Sequence, residues 1–198
     1  MSADARTIAV YDARAGDYDD CFRQDRPDRH LQAFIDALPH PARVLDLGCG
    51  PATASAFLRA AGHDPDPVDA SPAMVALANE RHAIGARLAN FDQIDAVAAY
   101  DGVWANFSLL HAARSDLPRH LGALHRALKA GGLLHLGMKT GTGEGPDALG
   151  RFYCYHTVGA LRGLLTDAGF TVLAETEGTE KGLAGTLDAF VILLAQRA

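Results

Sequence analysis

The stretch Val44-Leu45-Asp46-Leu47-Gly48-Cys49-Gly50-Pro51-Ala52-Thr53 decides the fold. Val44 to Leu47 is a short apolar run of the kind that forms a buried strand in a parallel sheet. It runs straight into a glycine turn, and a helix is expected from Ser55 to Ala61, closed by Gly62. Strand, glycine turn and helix in that order bring backbone N–H groups and a helix N-terminus against a ligand. Gly48 and Gly50 are expected to leave no Cβ between backbone and ligand. A dinucleotide fingerprint needs G-x-G-x-x-G or G-x-G-x-x-A, and here its last position is Thr53, so that pattern fails. A turn of this type also occurs in α/β proteins that bind nothing there.

The 198 residues suffice for one α/β domain with a substantial core. With 48% hydrophobic and 21% charged residues the composition is that of a globular protein. The net charge of −6, with no cluster of Lys or Arg, disfavours nucleic acid as a partner. Cys21, Cys49 and Cys154 are odd in number and far apart, with no C-x-x-C. That points to reduced thiols in a cytoplasmic protein and to neither a disulfide frame nor a zinc site. His120 and His125 are five apart and do not share a helix face, so no metal is expected. The start, MSADARTIAV, is not a signal peptide, and no apolar run approaches the ~18 residues of a membrane span.

The decisive stretch resembles motif I of the class I S-adenosylmethionine (SAM)-dependent methyltransferases, commonly G-x-G-x-G after an acidic strand end, with Ala52 in place of the third glycine. The likeness extends along nearly the whole chain. Tyr11-Asp12-Ala13-Arg14-Ala15-Gly16-Asp17-Tyr18-Asp19 matches a Y-D-x-x-A-x-x-Y-D segment of many such enzymes, so residues 1–30 are expected to form a lid, with Tyr18 touching cofactor and Tyr11 substrate. Asp69 follows Gly48 by 21 positions, close to the ~20 of a carboxylate that accepts from ribose hydroxyls. Because Pro65 and Pro67 suit no interior strand, the second strand is expected to be only Pro67 to Asp69. Ser71 then caps a helix with Pro72 at its first position, and Ala70 and Met74 join the cofactor side. Gly85 to Asp92 reads as a third short strand ending in a loop. There the resemblance implies an adenine-contacting pair, Asn90 for the edge and Phe91 for the face.

Tyr100 to His111 resembles the family's fourth strand and the loop beyond it. In an open parallel sheet, ligands sit at the strand carboxyl ends where strand order reverses, so Asn106, Phe107 and His111 would face the methionine end of the cofactor. A helix follows with Leu117, Leu121, Leu124 and Leu128 as its apolar stripe. Gly131-Gly132 is expected to end it, and Leu133 to Met138 to be the fifth strand. The stretch Lys139 to His156 resembles a K-x-G-x-G-E … G-R-x-F-x-Y-x-T segment of small methyltransferases, read as an open loop. The resemblance places Lys139, Glu144, Arg151, Tyr153 and Tyr155 near substrate. Two cations and two tyrosines suit an anionic or aromatic molecule. Thr157 caps the last helix, and Phe170 to Thr176 with Leu187 to Leu194 form a hairpin.

The resemblance therefore implies one domain over residues 1–198: a Rossmann-like seven-stranded sheet, helices on both faces and a C-terminal antiparallel hairpin. It implies an enzyme of EC 2.1.1.-, a monomer or homodimer, that uses SAM, yields S-adenosylhomocysteine and methylates a small-molecule acceptor by in-line displacement. Asp46, Gly48, Cys49, Gly50 and Asp69 would hold the cofactor. A hydroxyl or amine acceptor needs a base, and His111, Tyr153 or His156 is placed to serve, with His111 and Tyr153 the catalytic candidates. The alternatives are a non-catalytic SAM-binding regulatory domain and a dinucleotide-dependent oxidoreductase. Thr53 and the late first strand argue against the second.

Overall fold

A computed structural model describes residues 4–198, so the first three residues of the expected lid lie outside it. Seven strands form one sheet in the order β3-β2-β1-β4-β5-β9-β8. Strands β1 (Arg43–Leu47), β2 (Asp64–Asp69), β3 (Arg87–Leu88), β4 (Tyr100–Asn106) and β5 (Leu128–Lys139) run parallel. The hairpin β8 (Phe170–Lys181) and β9 (Leu187–Arg197) adds two antiparallel strands beside β5. Strand order reverses between β1 and β4, so the cleft opens at their carboxyl ends. This is the expected class I methyltransferase sheet.

Alternation along β1 builds both layers of the core. Leu45 and Leu47 face Val103, Leu134 and the leucines of α6 (Leu117–Ala127) and α7 (Val158–Asp167). Val44 faces Leu31 and Phe34 of α3 (Arg29–Ala37) and Leu58 of α4 (Thr53–Ala60). Asp46 shares that second face and is buried with it. Helices α1 (Ala5–Ala13) and α2 (Ala15–Phe22) lie against α5 (Pro72–His82). Among the described residues no helix is long and apolar enough to cross a membrane.

Several boundaries differ from expectation for identifiable reasons. Helix α4 starts at Thr53 rather than Ser55 and ends at Ala60. Strand β2 runs the full Asp64–Asp69 despite two prolines. Asp64 N donates to Ala42 O and Val68 O accepts from Gly48 N, so even-numbered residues of β2 bond to β1. Pro65 and Pro67 therefore turn the other way, where β3 pairs only with Val68 and Asp69, and no ladder bond is lost. The pair Gly131-Gly132 does not end α6, which stops at Ala127. It lies inside a register shift of β5, between the pairs Tyr100–Leu128 and Gly102–Leu133. The segment after β5 is no open loop: β6 (Glu144–Pro146) and β7 (Phe152–Cys154) pair antiparallel. The terminal hairpin is longer than expected, and its tip reaches the cleft.

Candidate active site

The glycine turn is tied down from below by β2. Gly48 N and Cys49 N both donate to Val68 O, at 2.9 and 3.0 Å. Asp69 at the end of β2 accepts from Gly50 N at 2.9 Å and from Ser71 N at 2.8 Å. Burial pushes its pKa above the usual carboxylate range, against the pull of those two bonds. Gly48, Gly50 and Ala52 all adopt left-handed conformations, with φ of 71, 53 and 60°. The expectation that Gly48 makes room for a ligand is corrected. A Cβ there would lie 2.4 Å from Ser108 Cβ, so Ser108 fills the space. At Gly50 a Cβ would meet only the Tyr18 ring, at 3.6 Å. The Ser108 hydroxyl is buried without a hydrogen-bond partner among the described residues, and Phe107 before it holds φ +54°. Asp46 accepts from Ser55 Oγ at 2.7 Å, yet burial outweighs that bond and pushes its pKa up to about 7.

The cleft consists of two cavities that share Tyr11, Tyr18, Gly48, Asn106 and Phe107 as the wall between them. The smaller is lined by Asp69, Ala70, Ser71, Met74, Phe91 and His111. The larger, about 250 Å³, is lined by Asp46, Cys49, Lys139, Arg151 and Tyr153 and by Phe190 and Ile192 of the hairpin. Most of the residues expected at the site thus converge. Asn90 does not: its side chain caps the short turn Phe91–Gln93 by accepting from Asp92 N. Tyr155 stacks on the outer side of Tyr153, with centroids 5.9 Å apart, and lines neither cavity. Glu144 accepts from Arg114 N on the exposed rim. His156 is buried against Cys154 Sγ at 3.2 Å, so neither cavity reaches it as a base.

Both expected cations already have carboxylates. Lys139 Nζ is 2.5 Å from Asp188 Oδ2 and 4.4 Å from the centre of the Tyr153 ring. Arg151, 2% exposed, donates Nε and Nη2 to Asp147 Oδ2 at 3.0 and 2.6 Å. Each carboxylate offsets part of the positive field of its cation, although His111 still feels both cations. Aromatic rings also face the larger cavity, among them Tyr11, Phe107, Tyr153 and Phe190, beside the charged Glu180 and Lys181 of the hairpin tip.

His111 sits at the end of a hydrogen-bonded chain. Its Nδ1 lies 2.6 Å from Phe152 O, and a carbonyl only accepts, so the ring proton is on Nδ1. Nε2 is then an acceptor for Tyr11 Oη at 2.9 Å, and Tyr11 Oη accepts in turn from Arg151 Nη1 at 3.2 Å. Burial, with Arg151 and Lys139 nearby, lowers the His111 pKa to about 4. Beneath the cleft, His135 stacks on Trp104 at 3.6 Å and its Nε2 lies 3.0 Å from Asn106 Oδ1. Burial holds this imidazole neutral, so its Nε2–H donates to the amide oxygen. Among the described residues the two N–H donors of Asn106 have no partner.

Sequence reasoning missed Asp147, Asp188, Ser108, His135 and the hairpin tip. Asp188, His135 and Ser108 act through partners dozens of residues away, which no local pattern marks, whereas Asp147 pairs with Arg151 only four residues on, a spacing the sequence itself displays. Asp12 and Asp19 enter the sequence reading only as part of the Tyr11 to Asp19 segment, without a role. They fasten α1 and α2 to α5, Asp12 by accepting from Ser71 Oγ and Ala73 N, Asp19 through Arg81 at 2.7 Å. Among the described residues no group of three or more His, Cys, Asp or Glu side chains is arranged to hold a metal ion.

Residues 44–132 match the family described as "Methyltransferase domain". The chain is 33% identical over 96 residues to the malonyl-(acyl-carrier protein) O-methyltransferase of Pseudescherichia vulneris, covering 46% of this chain and 37% of that protein. It thus spans little more than a third of the length of that curated relative. Among solved structures it resembles the 1,6-didemethyltoxoflavin-N1-methyltransferase of Burkholderia thailandensis, whose structure holds 1,6-didemethyltoxoflavin and S-adenosylhomocysteine. The TM-score is 0.73 and the identity 24%, over 100% of this chain and 92% of that one. The cyclase SpnF superposes with a TM-score of 0.75 at 18% identity, over 100% and 97%. One fold therefore carries more than one reaction, and likeness at this identity speaks for architecture. Sheet order, glycine turn and matched segment agree: the chain has the class I SAM-dependent methyltransferase fold.

Proposed function

We propose that the chain is a SAM-dependent methyltransferase acting on a small, neutral, ring-bearing acceptor. The observation that carries this reading is the divided cleft at the carboxyl ends of β1 and β4, with a carboxylate in one cavity and aromatic rings in the other. The residues present fit SAM, which supplies a methyl group already activated on a sulfonium. Each oxygen of Asp69 accepts one backbone bond and keeps lone-pair capacity for vicinal ribose hydroxyls. Ala70, Met74 and Phe91 offer apolar surface for the adenine. Asp46, Gly48, Cys49 and Gly50 surround the methionine side, and Asn106 directs its free N–H donors there. Tyr18 closes over Gly50, and α1 with α2 forms a lid that excludes water. Catalysis then rests on alignment.

The partly offset charges of Lys139 and Arg151 favour an aromatic acceptor over an anionic one. The Burkholderia protein, an N1-methyltransferase bound to 1,6-didemethyltoxoflavin, supports an acceptor of that kind. The test is a thermal-shift comparison of SAM, S-adenosylhomocysteine and NADH, followed by a methyl-transfer screen over ring N–H compounds, phenols, carboxylates and thiols. SAM and its product are expected to raise the melting temperature by binding the folded state, with transfer to ring compounds. Stabilisation by NADH alone overturns the reading. Stabilisation by SAM without transfer to any class would instead make this a SAM-binding domain without catalysis.

A further inference from the structure

Tyr11 is bonded to both sides of the cleft. Its ring lies in the wall between the two cavities, its O–H donates to His111 Nε2, and its oxygen accepts from Arg151. A phenolic oxygen has two acceptor lone pairs; Arg151 takes one, and the Tyr153 hydroxyl faces the other, so an acceptor reaches Tyr11 by displacing Tyr153. His111 has no other free valence: Nδ1–H is on Phe152 O and Nε2 is on Tyr11. An acceptor therefore meets His111 only through Tyr11.

We propose that Tyr11 and His111 form a proton relay, in which Tyr11 takes the proton that the acceptor loses and passes its own phenolic proton to His111 Nε2. This deepens the methyltransferase reading above and rests on it. The acceptor's ring nitrogen gains the methyl carbon, and the pair of the broken carbon–sulfur bond stays on sulfur. The N–H bond breaks toward Tyr11 Oη, leaving its electron pair on the ring. The phenolic O–H breaks toward Nε2. Tyr11 ends as a neutral phenol and His111 as an imidazolium, so one positive charge disappears from the sulfonium and one appears on the ring of His111. Phe152 O holds the Nδ1–H throughout and steadies that cation. Arg151 and Lys139 face His111 with like charge, and the Asp147 carboxylate faces it with opposite charge.

The relay also specifies the acceptor. The free imidazole is a poor base here, held down by burial and by two neighbouring cations. It receives a proton only from a group that methylation itself makes strongly acidic. A neutral ring nitrogen bearing N–H becomes such an acid as the methyl arrives, whereas a phenol needs a stronger base before attack. Tyr11 is then the catalytic residue, touching the acceptor, and His111 is the receiver behind it.

The test has two arms. In the full chain, labelled with ¹⁵N-histidine and saturated with S-adenosylhomocysteine, His111 is expected to be the Nδ1-protonated tautomer. Tyr11→Phe should move its Nε2 resonance and leave Nδ1 in place. An unmoved Nε2 overturns the pairing. For kinetics, 1,6-didemethyltoxoflavin and a panel of simple ring N–H heterocycles are the probes. Tyr11→Phe and His111→Gln are each expected to lower kcat by about 100-fold with the acceptor KM kept, and the double variant to be no slower than the slower single. The solvent deuterium effect on kcat should vanish in each. Losses that multiply in the double variant, or full activity in Tyr11→Phe, overturn the relay. Transfer to phenols, carboxylates or thiols but to no ring N–H compound overturns it and leaves the methyltransferase reading standing. Absence of SAM binding overturns that reading itself. Melting temperature and product binding show whether His111→Gln has folded, and Tyr11→Phe decides the matter if it has not.

Discussion

The two banks of the cleft are built by different means. On the β1–β2 side it is the main chain that is held: Val68 O receives two N–H bonds from the glycine turn, and the Asp69 carboxylate receives two more backbone N–H bonds. On the opposite bank, side chains hold side chains: Lys139 of β5 with Asp188 of β9, Arg151 with Asp147 between β6 and β7, and Tyr11 of α1 with His111 beyond β4. The first arrangement depends on backbone shape and needs few residue types. The second depends on particular pairs, each of which a single substitution breaks. A shared cofactor suits the first bank, and a private acceptor suits the second.

The strongest challenge to this contrast is Gly48→Ala, because it introduces a side chain where only backbone fits. A left-handed non-glycine residue costs ~1 kcal/mol and the overlap with Ser108 up to about 2 more, so a loss of ~3 kcal/mol in chemical denaturation is expected. Adding Ser108→Gly should return the overlap part. Next in size, Asp69→Ala removes the partner of Gly50 N and Ser71 N together with the ribose acceptor. SAM affinity by calorimetry should fall about 30-fold, roughly 2 kcal/mol, whereas acceptor KM should not move. An unchanged affinity would show that this bank is not where the nucleoside sits.

On the other bank, Asp188→Asn releases the charge of Lys139. Inhibition by anionic ring compounds should strengthen by a few fold, about 1 kcal/mol, with SAM affinity unchanged. On SAM affinity the smallest effect is that of pH. Asp46 titrates near 7 in the fold but near 4 in the unfolded chain, so the fold keeps a proton that the unfolded chain has given up. Stability therefore falls as pH rises from about 4 to about 7, and Asp46→Asn should flatten that slope. A cationic ligand prefers the ionised carboxylate, so SAM affinity should rise a few fold from pH 6 to 8 with uptake of base by calorimetry.

The same division governed what was legible in the sequence. Motif I, the Ser71–Pro72 cap, the Thr157 cap and the seven-stranded sheet with its terminal hairpin depend on neighbours in the chain or on a repeated period, and they stand where expected. Lys139 and Arg151 line the larger cavity as expected from the sequence, but the carboxylates that engage them are not in that reading: Asp188 lies 49 residues from Lys139, and Asp147, only four from Arg151, carries no mark of its role. Asn90 looked like an adenine ligand because an amide suits the task, yet the same amide suits an N-cap and is used as one. Gly48 was read as a vacancy for a ligand when its neighbour is Ser108, 60 residues on. Composition says which groups are present, and only the fold says which are already engaged.

The first helices are sewn to both banks at once: Asp12 and Asp19 to α5, and Thr7, through Phe152 N at 2.7 Å, to β7. A strap fastened at both ends would shut both chambers together. Under the proposed activity, neither spent nucleoside nor methylated product would have a private exit, and each cycle would undo the same stitches, whichever molecule departs first.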